Sequence, residues 1–352
     1  MAQINKPSEH FRTKLYTGNG AVRSITFDES ENMQPDLMWV KARTTTASWL
    51  CNDAVRGATK RLKLDQASAE STETGMITSF DTNGFSLGTT STSNANGENF
   101  VAFNWLAGNT SGSANTDGSI TSTVSVNTTA GFSIVSWTGN AVTGATIGHG
   151  LGVKPNMIIL KNRSPDAASW PIYHSGINGN QSARQYLSLN TTSASTTSST
   201  RWDNEEPNTN TFKTGSSGDV KGDSSGEPFI AYCFAEKTGY SKFGSYKGNG
   251  NADGTFVYTG FKPAFIMVKN IINITDWWIK DSKRPGYNQV NDLLYPNLTN
   301  AEEHGGDIDI VSNGFKVRTT ATNTNENGDT IIYMAFAEAP LVGTNGVTAK
   351  AR

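Results

Sequence analysis

Three acidic residues in the same local context are the first candidates for chemistry. Glu98, Glu227 and Asp329 each follow a glycine and precede an apolar segment. A carboxylate can act as a general acid or base, but glycoside hydrolysis needs a pair of them. The only other polar groups that recur with the acids are a lysine and an Asp/His position, at Lys41, Lys161 and Lys269 and at Asp53, His174 and Asp281. We therefore interpret each acid as structural, fixing a hairpin and pairing with the lysine of its own domain.

Metal binding has one weak candidate. The string NTNENG, which begins at Asn323, has the alternating oxygen ligands of a calcium loop, but it lacks aspartate, and Met334 occupies the twelfth position. The four histidines show no grouping with metal-ligand spacing. We predict no metal site and no cofactor; the turn is interpreted as rich in amides, with calcium as the alternative.

Nucleophilic catalysis is not indicated. No phosphate-binding loop, dinucleotide fingerprint or hydrolase motif occurs in a fitting context. Cys51 aligns with isoleucines elsewhere in the chain, and Cys233 aligns with Asn104 and Ala335, so both are interpreted as buried free thiols. We predict no catalytic residue and no enzymatic activity.

A triplicated pattern must position these residues. Each copy opens on an aromatic residue and a Gly-Asn pair, continues with a proline followed by the lysine, and then reaches a tryptophan and the closing phrase that contains the acid. The tryptophans are Trp49, Trp170 and Trp277, and the prolines are Pro35, Pro155 and Pro263. Ordered landmarks at this long period indicate repeated domains.

Each repeat reads as β-structure. The segments PDLMWVK, PNMIILK and PAFIMVK are short apolar runs bounded by turn signals, which is typical of strands covered on both faces. Asn-Gly pairs favour tight hairpins, so the closing phrase is predicted to be a hairpin with a variable Ser/Thr/Asn tip. The predicted fold class is all-β, with three tandem related antiparallel β-sandwich domains.

The alignment also gives the boundaries. We predict an N-terminal arm at 1–10, repeat 1 at 11–108, a linker at 109–117, repeat 2 with an insertion at 118–238, repeat 3 at 239–343 and a tail at 344–352. The arm is polar and is expected to have no repeated core to join, so docking to a neighbouring protein and a frayed terminus are both open.

Two tryptophans have no counterpart in the repeat and are the candidate surface contacts. Trp202 lies in the insertion STRWDNEEPNTN, and Trp278 aligns with Leu50 and Pro171. An exposed indole can bind a sugar, although a loop tryptophan can also cover its own domain. The other six tryptophans align with apolar residues and are predicted to be core.

Composition excludes several partners. The formal net charge is −2, and no Lys/Arg cluster stands out, so nucleic acid is not a predicted partner. No apolar run approaches a membrane span, and the first residues lack a secretory pattern. The chain is expected to fold in the cytoplasm where it is made.

The motifs YTGNG, GHGLGVKPNMIILKN and NGF, with the opening INKPSEHFRTKLYTGNG, resemble repeat-domain virion structural proteins, of tail or fibre type, from marine bacteriophages such as cyanophages. The resemblance spans Phe11 to Gly343 and brings no assigned catalytic or binding residues. It implies a virion structural protein that folds in the host cytoplasm and is released by lysis.

We therefore expect a phage virion surface protein, tail-associated, that contacts the host. Its expected partners are other virion proteins and a host surface glycan or protein receptor, and we expect a homo-oligomer. A head decoration or head-fibre protein is the alternative within the virion. A lectin or carbohydrate-active enzyme is the alternative from another class.

Overall fold

The computed structural model describes residues 2–164, 168–177, 179–284 and 287–342. Antiparallel strands dominate it, and the α-helices in the described ranges are single turns, so the prediction of an all-β fold is confirmed. The predicted tail at 344–352 and Gly343 lie outside the described residues.

Repeat 1 contributes two main sheets and a small hairpin. The elements are β1 (Phe11–Thr17), β2 (Arg23–Thr26), β3 (Leu37–Ala42), β4 (Leu50–Asp53), β5 (Lys60–Arg61), β6 (Ser71–Thr72), β7 (Ile77–Asp81), β8 (Gly84–Leu87), α1 (Ser91–Asn94) and β9 (Asn99–Trp105). The first sheet has the strand order β1-β9-β3-β4, and the second has the order β2-β8-β7. The hairpin is formed by β5 and β6.

Repeat 2 contains the same four-strand arrangement in a wider sheet, ordered β10-β11-β12-β19-β14-β15-β16-β17, and a separate β13–β18 pair. The elements are β10 (Ser113–Asn115), β11 (Ser122–Asn127), β12 (Phe132–Thr138), β13 (Thr146–Gly148), β14 (Met157–Asn162), β15 (Pro171–His174), a 3₁₀ helix (Gly179–Arg184), β16 (Gln185–Ser188), β17 (Thr196–Thr197), β18 (Thr211–Lys213), α2 (Gly218–Lys221) and β19 (Pro228–Phe234). Strand β10 lies inside the stretch predicted to be a linker.

Repeat 3 again has two sheets. The elements are β20 (Ser241–Lys247), β21 (Phe256–Tyr258), β22 (Phe261–Asn270), β23 (Trp278–Asp281), β24 (Val290–Leu293), β25 (Glu303–Val311), β26 (Gly314–Val317), α3 (Thr322–Asn325) and β27 (Thr330–Pro340). The strand orders are β20-β27-β22-β23 in one sheet and β21-β26-β25-β24 in the other.

The central strands bury apolar side chains on both faces because each face meets a different core. In β3, Met38 and Val40 pack against the second sheet of repeat 1. Leu37 and Trp39, which point the other way, join one large core that also contains residues of repeats 2 and 3. Strands β14 and β22 divide their residues in the same manner. The face of each central strand that points away from the second sheet of its own repeat is therefore covered by residues of the other two repeats.

Three aligned aromatic residues meet in this shared core. The ring of Trp105 lies 6.4 Å from Phe234 and 5.7 Å from Phe336, and Phe234 lies 5.9 Å from Phe336. Edge-to-face rings at these distances add to the gain from apolar burial. Because each ring comes from the last strand segment of a different repeat, the repeats surround a common axis.

The repeated tryptophans link neighbouring repeats in a closed cycle. The indole N–H of Trp49 donates to the carbonyl of Tyr295 in repeat 3 at 2.8 Å, that of Trp277 to Ser188 in repeat 2 at 3.1 Å, and that of Trp170 to Lys63 in repeat 1 at 3.0 Å. The same donor thus meets the same kind of acceptor three times. A head-to-tail contact that closes after three steps has a rotational arrangement, so equivalent loops lie at the same end of the molecule.

The closing phrase is a crossover, and its prediction as a hairpin is wrong. The Asn83-Gly84 pair does end a tight β7–β8 turn, in which a Cβ on Gly84 would lie 1.9 Å from the carbonyl oxygen of Ile25. The chain then passes through α1 and enters β9 in the other sheet. Turn chemistry indicates the turn but not the sheet that the next strand joins.

The N-terminal arm packs on the body of the molecule. Ile4 is buried in the shared core, and the backbone N–H of Gln3 donates to the carbonyl of Thr238 at 2.9 Å. The expectation that the arm has no repeated core to join is therefore wrong: Ile4 and Pro7 are buried, and Lys6 forms an ion pair with Glu31.

We expect Trp277→Ala to lower the free energy of unfolding by about 3–5 kcal/mol, as for other large core aromatic residues. Trp277→Phe keeps most of the packing and loses the N–H donor to Ser188, so it should cost distinctly less. Urea unfolding of both variants measures the two values. Equal costs for Ala and Phe, or a loss within error for Ala, would contradict the position of Trp277 in the core.

Candidate functional site

Both predicted contact residues are buried, so their interpretation as exposed binding residues is wrong. Trp202 is 1% exposed, and its ring packs edge-on against Tyr173 at 6.1 Å. Trp278 is 7% exposed and covers Gly306, where any side chain would collide with the indole. The insertion around Trp202 folds back over repeat 2, and Trp278 lies in β23 with its ring turned into the outer core of repeat 3. Large apolar rings gain free energy from this burial.

The three repeated acids hold loops together and do not pair with the repeated lysines. Glu98 accepts a hydrogen bond from the hydroxyl of Thr44. Glu227 and Asp329 accept from the side-chain amides of Asn162 and Asn270, which directly follow the lysines. Each carboxylate therefore ties the strand after it to the end of the neighbouring central strand.

The repeated lysines instead reach the next repeat. Lys41 donates to the carbonyl of Thr299 at 3.0 Å, Lys161 to Ala67 at 2.9 Å and Lys269 to Thr192 at 3.1 Å. Burial lowers the pKa of Lys41 and of Lys269 to about 8. The ammonium groups are held by carbonyl oxygens at the seams between repeats, in the same cyclic order as the tryptophans.

Buried ion networks reinforce two of the three seams. In one, Arg56 contacts Asp53 and Glu70 of repeat 1, and Glu70 also pairs with Arg163 of repeat 2 at 2.8 Å. The other has the same layout: Arg284 with Asp281 and Glu302 of repeat 3, and Glu302 with Arg43 of repeat 1. Shared carboxylates satisfy both guanidinium groups, which makes burial of the charges tolerable.

The third seam replaces the whole network with uncharged groups. His174 occupies the aspartate position, Ile177 the arginine position, Ser195 the glutamate position and Ile271 the second arginine position. A backbone hydrogen bond between these positions is nevertheless present at all three seams. The N–H of Ser195 donates to the carbonyl of Ile271 at 2.9 Å, as that of Glu70 donates to Arg163 and that of Glu302 to Arg43. The presence of histidine where the other repeats have aspartate is thereby explained, because an aspartate here would be buried without an arginine.

His174 is held as the neutral tautomer. Its Nε2 donates to the carbonyl of Tyr333 at 3.1 Å, and its Nδ1 accepts from the N–H of Gly176 at 3.0 Å. Burial lowers the pKa of His174 to about 4, and the hydrogen bond to Tyr333 acts in the opposite direction. Protonation would remove the Nδ1 acceptor and place a charge in the interior.

The loops at one end of the molecule form the candidate functional site, which we call the loop face. It consists of residues 18–22, 43–48 and 88–98 in repeat 1, residues 139–144, 163–164, 168–169 and 214–227 in repeat 2, and residues 248–255, 271–276 and 318–329 in repeat 3. The repeated acids and lysine ends meet here. Loops on a rigid scaffold are the usual place for binding residues.

The Gly-Asn loops of the loop face are fixed by close backbone approach. A Cβ on Gly18 would lie 2.1 Å from the carbonyl oxygen of Ala95, and one on Gly248 would lie 2.2 Å from that of Glu326. The side chain of Asn94 accepts from the N–H of Asn19 and donates to the carbonyl of Ala21, and Asn325 makes the corresponding contacts in repeat 3. The loop positions are therefore preorganised.

The surface of the loop face combines exposed apolar residues with a polar groove. Val22, Val142, Ile272 and Ile274 are exposed, and Ile274 is the most open at 79%. The groove, of about 500 Å³, lies in repeat 1 between the 45–48 loop, Arg61 and Lys63, and α1. We call it the Arg61 groove; the sequence analysis did not identify it.

Other chemistry is limited in the described part of the chain. No group of three or more His, Cys, Asp or Glu side chains there could hold a metal ion. Cys51 and Cys233 are free and buried, as predicted, and burial raises the pKa of the Cys51 thiol to about 12. No helix within the described ranges is long and apolar enough to cross a membrane.

His174 gives a pH dependence with a defined sign. The unfolded imidazole has a pKa near 6.5 and the folded one about 4. The stability it contributes is complete above pH 6.5 and is lost as the pH falls towards 4, by up to about 3 kcal/mol. Urea unfolding between pH 7.5 and 4 should therefore show a shallower decline for His174→Asn than for the wild type. Burial also lowers the pKa of His10 and His149, so the difference between the two proteins isolates His174. Parallel curves would contradict the assignment.

Comparison with known proteins gives a family without an activity. No curated protein matches the chain, and no solved structure matches it. The profile of a family described as a domain of unknown function, DUF7483, matches residues 6–340. That match covers repeats 1 and 2, repeat 3 except for its last three residues, and half of the N-terminal arm. The chain therefore belongs to the DUF7483 family of domains of unknown function.

Proposed function

We propose that the protein is a surface structural protein of a bacteriophage particle, associated with the tail as a fibre or receptor-binding component, whose loop face contacts the host. The resemblance of YTGNG, GHGLGVKPNMIILKN and NGF to marine phage virion proteins supports this context. Its partners are other virion proteins and a host glycan or protein receptor. Copies of the chain associate through surfaces other than those that join the three repeats within one chain.

The chain is proposed to be organised as three tandem related antiparallel β-sandwich domains. Each repeat has the same four-strand order, and each has its own apolar cluster outside the shared core. The second sheet differs, with three strands in repeat 1, two in repeat 2 and four in repeat 3. The tryptophan and lysine contacts between repeats are present at all three seams despite this variation in the outer layer.

The closed cycle of repeats is the observation that carries the proposal. Three sets of loops lie at one end of a body that is joined by tryptophan, lysine and ion contacts at its seams. Such an arrangement presents several variable segments to one surface, which suits a host-contacting virion component. A host receptor can then be recognised with little ordering cost.

Two alternatives make different predictions. A head decoration or head-fibre protein would have the same architecture but would be found on the capsid. A lectin or carbohydrate-active enzyme would act without the particle, and an enzyme would release reducing sugar from polysaccharide in a way that depends on carboxylates such as Glu98, Glu227 and Asp329.

We expect the protein to be present in stoichiometric amounts in purified particles of the phage that encodes it, as measured by mass spectrometry, and antibody labelling should mark the tail. Labelling of the head would select the decoration protein. Absence from purified particles would contradict the virion role altogether.

Host contact is tested by adding purified protein to host cells before the phage. Wild-type protein should compete and reduce adsorption, whereas Ile274→Asp, on the loop face, should compete less well. Tyr258→Asp is the matched control, because Tyr258 is 54% exposed near the opposite end, where β22 begins and β27 ends. If Ile274→Asp and Tyr258→Asp lost the same amount of competition, or if the wild-type protein did not compete, contact through the loop face would be contradicted.

A further inference from the structure

The Arg61 groove contains a buried arginine without a partner. Arg61 is 7% exposed, yet its guanidinium makes no hydrogen bond or ion pair with any described residue, and its Nε has no acceptor. The fully buried guanidinium groups of Arg12, Arg56 and Arg284 are each hydrogen-bonded through Nε and both Nη atoms. The Nε atoms of Arg23 and Arg201 also have no acceptor, but these two guanidinium groups bond through an Nη atom. Burying an Nε–H without an acceptor is costly, whereas the two Nη groups reach the groove and can bond to water or to a ligand there.

The repeats supply an internal comparison for this position. Leu62 pairs with Cys51 as Leu294 pairs with Ile279 and Leu187 with Ile172. The residue before each leucine is then Arg61, Leu293 and Tyr186. Leu293 is buried in the outer apolar cluster of repeat 3, and Tyr186 packs against that of repeat 2. Arg61 thus occupies a position where the other repeats place core residues, and packing alone does not require a charge there.

Neighbouring carboxylates do not neutralise Arg61 directly. Burial lowers its pKa, while Glu73 and Asp65 act in the opposite direction without forming an ion pair with it in the described part of the chain. One oxygen of Asp65 accepts from the backbone N–H of Trp49 at 2.8 Å. The guanidinium therefore remains available to an acceptor that enters the groove.

The rest of the groove favours a hydrophilic ligand. Thr45, Thr46, Ser48, Ser91 and Thr92 present hydroxyl groups, and Lys63 adds a second positive charge. Glu98 also lines it, with its carboxylate bonded to Thr44. A planar guanidinium fork matches a carboxylate, and hydroxyl-bearing side chains match the hydroxyls of a sugar. None of the described residues that line the groove is aromatic, so the lining does not favour a lipid or an aromatic acid.

We propose that the Arg61 groove binds an acidic saccharide, with the carboxylate of a uronic acid residue on Arg61 and the sugar hydroxyls along the threonine and serine side chains. The inference rests on the proposed function only for the source of the glycan, which would be the host surface. The two can fail separately, because the binding test uses purified protein and a defined oligosaccharide, whereas the virion role is tested on particles.

The test is calorimetric titration of the full-length protein with trigalacturonate and with the neutral galactotriose. Trigalacturonate should bind at least tenfold more tightly, and Arg61→Leu should weaken its binding by about tenfold to a hundredfold, as for loss of a charge-assisted hydrogen bond. Arg61→Leu introduces the residue that repeat 3 uses, so it should unfold at the same or higher urea concentration than the wild type.

A control variant and the following results decide whether Arg61 binds the saccharide. Ser24→Ala, at an exposed site on β2 of the same repeat, should leave binding unchanged. Unaltered trigalacturonate binding by Arg61→Leu, or no binding by the wild type, would overturn the proposal. Lower stability of Arg61→Leu with binding retained would assign Arg61 a structural role through Asp65 and Glu73. Acetate that binds as tightly as trigalacturonate would show a simple carboxylate site and exclude the saccharide.

Discussion

The burial of both faces of the central strands is the constraint on which this fold depends. Strand β3 has apolar residues pointing in both directions, and the second sheet of its own repeat can cover only one of them. The other face must be removed from water by something else, and the two sister repeats supply that surface. Trp105, Phe234 and Phe336 are in contact because all three repeats meet this requirement together.

Charge at the seams follows from the same geometry. Once two repeats are pressed together, the ends of their strands must find partners without water, and the repeated lysines do so through neighbouring carbonyls. Arginine and glutamate strengthen two seams, whereas the third uses histidine, serine and isoleucine. The coordinated change at four positions shows that each network behaves as a unit, since keeping only one of its charges would leave that charge unpaired.

Much of this could be read from the sequence, within limits set by physics. The burial of Trp49, Trp170 and Trp277 and the β-class follow from periodicity and internal alignment, and both are confirmed. The partners of Lys41 and Glu98 could not be predicted, because one-dimensional spacing does not show which repeat faces which. The burial of Trp202 and Trp278 could not be predicted, since lack of a counterpart in the repeat says nothing about exposure. The position of Arg61 in the repeat is hidden in the sequence because the loop from Cys51 to Leu62 is shorter than the corresponding loops, and only strand pairing restores the alignment.

The ion pair between Arg43 and Glu302 has a consequence for biosynthesis. These residues lie 259 positions apart, yet they close the last seam of the ring. While the ribosome is still making repeat 3, repeats 1 and 2 can associate but must expose the apolar faces that repeat 3 will later cover. The nascent chain is therefore most vulnerable to aggregation and chaperone capture late in translation, and release of the final strands converts an open two-repeat intermediate into the closed molecule.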